Sequence, residues 1–187
     1  MQRTLVKQAL NSLEPLDSVL VQGWVRTRRD TKKFSFLEIN DGTSLKSLQV
    51  IIDSNVSDYK NVVKASTGAS VEMTGRLVAS EGKGQDWELH ADSLNVIGES
   101  DVDYPLQKKG HTIEFLREQA HLRPRSNLFS SVFRVRSRVA YAIHSFFQER
   151  DFVYVHTPII TASDCEGAGE MFRVSTLNPG DAPMVDG

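Results

Sequence analysis

The strongest constraint on what this chain can fold into is a recurring change of hydrophobic period. Apolar and other residues alternate at period two from Val19 to Val25, where Gly23 before Trp24 predicts a bent strand. A second strand is predicted over Phe34 to Asn40, closed by the turn pair Asp41-Gly42, and a third over Leu48 to Asp53. Ser57 to Ser66 breaks the alternation. Its Tyr59, Val62, Val63 and Ala65 suit a short helix capped near Ser57. Strand pattern then resumes at Val71, Met73, Gly75 and Leu77 and, after a Gly-rich loop from Glu81 to Asp86, at Trp87, Leu89 and Ala91.

Three strands, a helix and two strands is the element order of an oligonucleotide-binding (OB) barrel, whose second and third strands form the usual binding face. A purely structural all-β barrel shares that order. From Gly98 to Asn127 regular patterning stops at Tyr104-Pro105, Lys108-Lys109-Gly110 and Arg123-Pro124-Arg125, which reads as a hinge. A helix is predicted from Leu128 to about Arg150, with Ser126 or Asn127 as its cap. It carries two apolar stripes: Leu128, Val132, Val135, Val139, Ala142 and Phe146, and beside them Phe129, Phe133, Ala140, Ile143 and Phe147. So wide an apolar arc calls for a second partner, a further layer or another subunit.

Phe152 to Thr157 reads as a strand, with Pro158 removing a ladder donor near its end. Asn178 to Gly187 is turn chemistry. One helix and one or two strands cannot cover a sheet, so this second part is expected to be incomplete. The division is therefore a lead-in over 1–17, the barrel over 18–98, the hinge over 99–127, and the start of an α+β domain over 128–187.

Composition narrows the class. The lone Cys165 among 187 residues gives no disulfide framework and points to a reducing compartment, the cytoplasm by default. Met1 to Pro15 lacks the continuous apolar core of a signal peptide and reads as an amphipathic lead-in, and no run of about 18 apolar residues suits a membrane span. Net charge is −2, but nucleic-acid binding follows local charge. Arg26, Arg28, Arg29, Lys32 and Lys33 stand against Asp30 alone, and between Gln107 and Arg125 five Lys or Arg residues face two Glu. Each cluster taken singly is equally well a solvated charged face.

The second strand decides between these readings. With Leu37 and Ile39 as its inward set, Phe34, Phe36, Glu38 and Asn40 face outward, so aromatic rings share the polar face and adjoin the Arg26 to Lys33 cluster. Exposed aromatics with flanking cations supply what single-stranded RNA needs, a stacking platform and a path for phosphates. The competing reading moves Phe34 or Phe36 into the core by a register change. On the third strand Gln49, out of phase with Leu48, Val50 and Ile52, points an amide to the same face, where it reads a base edge or is simply solvated.

Gly23-Trp24-Val25-Arg26-Thr27-Arg28-Arg29-Asp30, Phe36-Leu37-Glu38 and Asn40-Asp41-Gly42 resemble the anticodon-binding barrel of the aspartyl-, asparaginyl- and lysyl-tRNA synthetases. The resemblance implies that Phe36 and Gln49 stack on and read the middle anticodon uridine and that Arg29 contacts the anticodon stem-loop. Tyr104-Pro105-Leu106-Gln107-Lys108-Lys109, Phe115-Leu116-Arg117-Glu118 and Ala120-His121-Leu122-Arg123-Pro124-Arg125 resemble the asparaginyl branch. Phe133 to Pro158 is similar to class II motif 1, which implies a homodimer interface containing Val139, Ile143 and Pro158.

Thr161 to Phe172 resembles the mobile loop over the amino acid, with Glu166 matching the carboxylate that meets the substrate's α-ammonium group. Asp164, Glu166 and Glu170 would repel phosphate and favour a cation, although without the resemblance the loop reads as a solvated acidic turn. Cys165, between two acids, is a poor thiolate and hence a poor nucleophile. His90, His111, His121, His144 and His156 show no paired ligand spacing, so no metal site is assigned.

The resemblance spans Ser18 to Leu177 and implies that the whole enzyme uses ATP and Mg2+ to join asparagine to its tRNA. Motifs 2 and 3, which carry the ATP-binding residues, do not occur in these 187 residues, so no catalytic residue is expected within them. The rival readings are an aspartyl-tRNA synthetase, including one that charges both tRNAs, and a free-standing RNA-binding barrel.

Overall fold

The computed structural model describes residues 2–57, 59–82, 84–160, 175–178 and 180. The chain divides into two compact units, Met1–Ala140 and Tyr141–Gly187. Among the described residues the elements of the first unit begin with α1 (Val6–Leu10) and run through β1 (Leu16–Asp30), β2 (Phe34–Asn40) and β3 (Leu48–Asp53). A 3-10 turn (Tyr59–Lys64), β4 (Ser70–Ala79), β5 (Trp87–Gly98), α2 (Ile113–Glu118) and a second 3-10 turn (Arg123–Arg125) follow. α3 (Asn127–Gln148) begins in the first unit and ends in the second.

The five expected strands close into a barrel in the order β1-β2-β3-β5-β4, with β4 returning to β1. All pairs are antiparallel except β3 with β5. β2 and β3 have their expected bounds, whereas β1 is 15 residues long because its two halves serve different neighbours. Leu16 to Trp24 pairs with β4, and Trp24 to Asp30 pairs with β2 across a bulge between Val25 and Thr27. The expected bend at Gly23 lies at this corner, where an added Cβ would sit 2.7 Å from Ile39 Cγ2 and 2.9 Å from Asn40 O. The segment expected as a short helix is a 3-10 turn that buries Val62, and it leads from β3 to β4 on the way to the parallel partner β5.

Strand alternation fills the barrel: Val21, Leu37, Ile39, Leu48, Val50, Ile52, Val71, Met73, Leu77 and Leu89 are fully buried. The N-terminal segment straps this core. Thr4 N donates to Leu20 O, and the Trp87 indole donates to Ser12 O. Asp41 is the fastening point, its carboxylate accepting from Arg3, Val6 N, Thr43 N and the Thr43 hydroxyl. Burial opposes its charge, yet these donors and the Arg3 cation hold the carboxyl below its ordinary value of 3.8.

The hinge is more ordered than its broken pattern implies, because Thr112 Oγ1 caps α2 by accepting from Phe115 N. Ser126 caps α3 in the same way, accepting from Phe129 N. At the other end of α3, Asp151 adopts a left-handed φ of 62°, its N–H donating to Gln148 O while Phe152 N–H donates to Phe147 O. With the Phe147 and Phe152 rings 5.4 Å apart, this is a Schellman stop with Asp in the usual glycine position. No residue of α3 is buried, and Val139 and Ile143 are about half exposed. Phe152 to Thr157, expected as a strand, carries no ladder: among the described residues no strand pairs with it. No helix among the described residues is long and apolar enough to cross a membrane.

Two stability predictions follow from this packing. At the β4 bulge an added Cβ on Gly75 would lie 2.1 Å from His90 O, so Gly75→Ala should lower the urea midpoint by the equivalent of at least about 1–3 kcal/mol. Asp41, with a carboxyl pKa lower folded than unfolded, contributes stability that is present above pH 3.8 and lost as pH falls through the folded value. Asp41→Asn should therefore destabilise the protein at pH 7 and flatten its acid limb in a urea series; an unchanged acid limb would refute the role.

Candidate nucleic-acid interface

β2 is paired on both sides, so its alternation fixes two faces at once. Ser35, Leu37 and Ile39 are wholly buried, while Phe34 and Glu38 are exposed and Phe36 and Asn40 partly so. This is the predicted register, and the alternative that moves the phenylalanines into the core is not the one adopted.

The strand registers assemble the outer face into two neighbouring rows. One runs Arg29, Phe36, Ile51, His90, Arg76; the other runs Thr27, Glu38, Gln49, Glu88, Val78. Arg29, Phe36 and Gln49 thus share one face. The Arg29 guanidinium lies 4.9 Å from the Phe36 ring centroid, a cation–π contact that holds the charge beside the aromatic platform.

The second row is organised by a carboxylate. Glu88 is 6% exposed. Its Oε2 accepts from Ser80 Oγ at 2.8 Å, Gln85 Nε2 at 3.2 Å and Gln49 Nε2 at 3.4 Å, and its Oε1 lies 3.1 Å from His90 Nε2. With its amino group turned to Glu88, Gln49 presents its carbonyl oxygen as the group left to accept. Sequence reasoning did not single out Glu88. Its signal is the apolar phase of Trp87, Leu89 and Ala91, which leaves Glu88 and His90 opposite, but only the parallel β3–β5 pairing brings it beside Gln49.

The basic cluster divides by task. Arg28 Nη1 donates to Val62 O and Val63 O at 2.7 and 2.8 Å, tying the 3-10 turn to β1, and its Nε pairs with Asp30. Arg26 donates to Arg125 O, and Arg125 in turn lies over the Trp24 ring. Both arginines are structural. Arg29 stands on the outer face, and Lys32 and Lys33 are exposed in the β1–β2 turn. Beside the second row a groove of about 1020 Å³, lined by Thr27, Glu38, Lys46, Lys108 and Lys109 among others, continues from the barrel face to the hinge.

Of the other sequence-derived sites, Val139, Ile143 and Pro158 are exposed. Glu166, with the whole loop from Thr161 to Phe172, lies outside the described residues. Among the described residues no group of three or more His, Cys, Asp or Glu side chains is arranged to hold a metal ion.

Known protein families resemble the chain in two successive segments. Residues 19–97 match the model of the OB-fold nucleic acid binding domain of the tRNA anticodon type, and residues 112–184 match that of the tRNA synthetases class II (D, K and N). The chain is 53% identical to the asparagine–tRNA ligase of Oleidesulfovibrio alaskensis over 100% of its own length and 42% of the relative's. It is 56% identical to that of Nostoc sp. over 97% of its own length and 40% of the relative's. It thus spans about two fifths of the curated relatives it matches.

Two solved structures share the fold. The asparaginyl-tRNA synthetase from Pyrococcus horikoshii is 23% identical with a TM-score of 0.73, over 86% of this chain and 38% of that one. The aspartyl-tRNA synthetase from Entamoeba histolytica is 17% identical with a TM-score of 0.72, over 87% and 40%. With an anticodon-type barrel followed in order by a class II segment, and more than half its residues shared along its whole length with asparagine–tRNA ligases, the chain belongs to the class II tRNA synthetases of the D, K and N group.

Proposed function

We propose that the whole protein is an asparagine–tRNA ligase and that this chain supplies its anticodon recognition and part of a homodimer interface. The observation that carries the reading is the row in which Arg29 is held over Phe36, next to a Gln49 whose amide is oriented by Glu88. Phe36 offers a face for a splayed base, and Arg29 offers charge for a neighbouring phosphate. The Gln49 carbonyl oxygen can accept from the imino N3–H of uridine; cytidine carries an acceptor at that atom and would leave Gln49 unsatisfied. The aspartyl reading is the weaker one, because the relatives more than half identical to this chain are asparagine–tRNA ligases.

In the whole enzyme ATP and Mg2+ would supply the adenylating chemistry in the cytoplasm, and the family resemblance assigns their binding to motifs 2 and 3, outside Met1–Gly187. The contributions of this chain are binding and positioning. Glu166 would neutralise the α-ammonium group of asparagine and so orient it. The exposed apolar residues of α3, Val139 and Ile143 among them, together with Pro158, would meet a second copy.

Binding to anticodon stem-loops that vary at the middle base tests the proposal. Phe36→Ala should cost about 1–3 kcal/mol of tRNA binding while asparagine activation by the whole enzyme is unchanged. Arg29→Ala should shallow the salt dependence by one phosphate contact, and Gln49→Ala should narrow the preference for uridine. Wild-type affinity and selectivity in both Phe36→Ala and Gln49→Ala would place the anticodon elsewhere. For the dimer, Val139→Glu or Ile143→Glu should weaken association of the whole enzyme by several kcal/mol, and a wild-type enzyme sedimenting as a monomer at micromolar concentration would refute the interface.

A further inference from the structure

Phe34 is not used by the reading above, yet it lies on the same outer face as Phe36, two residues away along β2 and so about 7 Å distant. It is 37% exposed. Among the described residues no aromatic ring or guanidinium stands over it, in contrast to Phe36 beneath Arg29. A single exposed phenylalanine is unremarkable on a protein surface. Three features set this one apart.

The first is that its backbone is pinned. Phe34 N donates to Thr31 Oγ1 at 3.0 Å, and Phe34 O accepts from both Thr31 N and Thr31 Oγ1 at 2.8 Å. Ser54 N donates to Lys33 O at 2.9 Å, fixing the turn to β3. The ring is thus carried on a preorganised hairpin end rather than a loose loop. The second is charge: Lys32 and Lys33 immediately precede it and, among the described residues, neither has a carboxylate partner. Asp53, its cross-strand neighbour, has an oxygen engaged by Asn55 N at 2.9 Å. The third is continuity, since Phe34, Phe36 and Glu38 follow one another along a single line of outward side chains.

We propose that Phe34 is a second stacking platform, which takes the nucleotide next to the middle anticodon base and has its phosphate drawn in by Lys32 and Lys33. Two aromatics in line, with cations at one end, bind successive unstacked bases by their faces, with little demand on base identity. The inference rests on the anticodon reading of Phe36 and deepens it: Phe36 and Gln49 select the middle base, and Phe34 holds its neighbour and so fixes how the loop is splayed.

The test uses the 187-residue chain and anticodon stem-loop RNAs carrying 2-aminopurine on either side of the middle base. On binding wild type, one of the two probes should lose fluorescence by stacking. Phe34→Leu keeps apolar bulk but removes the ring face; it should abolish that quenching and weaken binding roughly 5- to 150-fold, the equivalent of about 1–3 kcal/mol of stacking. Phe34→Tyr should restore both. Unchanged affinity and quenching in Phe34→Leu would overturn the inference. If Phe36→Leu still weakens binding in that case, the anticodon site stands without Phe34; if Phe36→Leu is also without effect, or wild type does not bind the loop, both readings fall.

Discussion

Everything on the outer face of β2 depends on one constraint: β2 is an interior strand of a closed barrel, with Leu37 and Ile39 fully buried on one side. A one-residue slip would expose both and carry Phe34, Phe36 and Glu38 inward, so burial enforces the register. The same hydrophobic energy that fills the barrel therefore turns two phenyl rings to the outer face, Phe34 exposed and Phe36 partly so. Because β2 is paired on both edges, the rings are displayed on a rigid surface, and binding a base there does not first require ordering the strand.

The cations show why a count of charges is a poor guide to a nucleic-acid site. Arg26 and Arg28, within three residues of Arg29, turn to backbone carbonyls of the hinge and of the 3-10 turn. Those carbonyls lie in the last turn of short 3-10 segments, where the negative end of the backbone dipoles favours a guanidinium. Arg29 follows the bulge at Val25/Thr27 and falls in register with Phe36, and this register places its charge over the ring. Past the bulge, strand alternation is what turns Arg29 to the outer face with Phe36 while its neighbour Arg28 bonds the 3-10 turn.

What was legible in the sequence follows the range of the interactions. Alternation is local, so β2, β3, the outward turn of Phe36 and the placing of Gln49 on the same face could be read directly, as could a helix expected from Leu128 and found from Asn127, with Ser126 one of its two candidate caps. The extra length of β1 depends on two partners at once, and the role of Glu88 depends on a parallel pairing between strands 39 residues apart, as in Gln49 with Glu88. Neither leaves a local pattern. Phe152 to Thr157 failed for the converse reason: it has the composition of a strand, but a strand is a property of a pair, and among the described residues it has none.

α3 shows a related separation between what a segment encodes alone and what it needs from others. Its ends are specified locally, by the Ser126 hydroxyl at the start and, at the stop, by the left-handed Asp151 with the Phe147–Phe152 contact. Its faces are not satisfied locally: the Phe129 and Phe133 end is covered by the Arg123 guanidinium, while Val135, Val139 and Ile143 remain about half exposed or more. A helix of 22 residues with capped ends and uncovered apolar faces is built to be completed by packing. The barrel differs, since its five strands close on one another around a buried apolar core. The barrel thus buries its own apolar residues, whereas among the described residues α3 buries none.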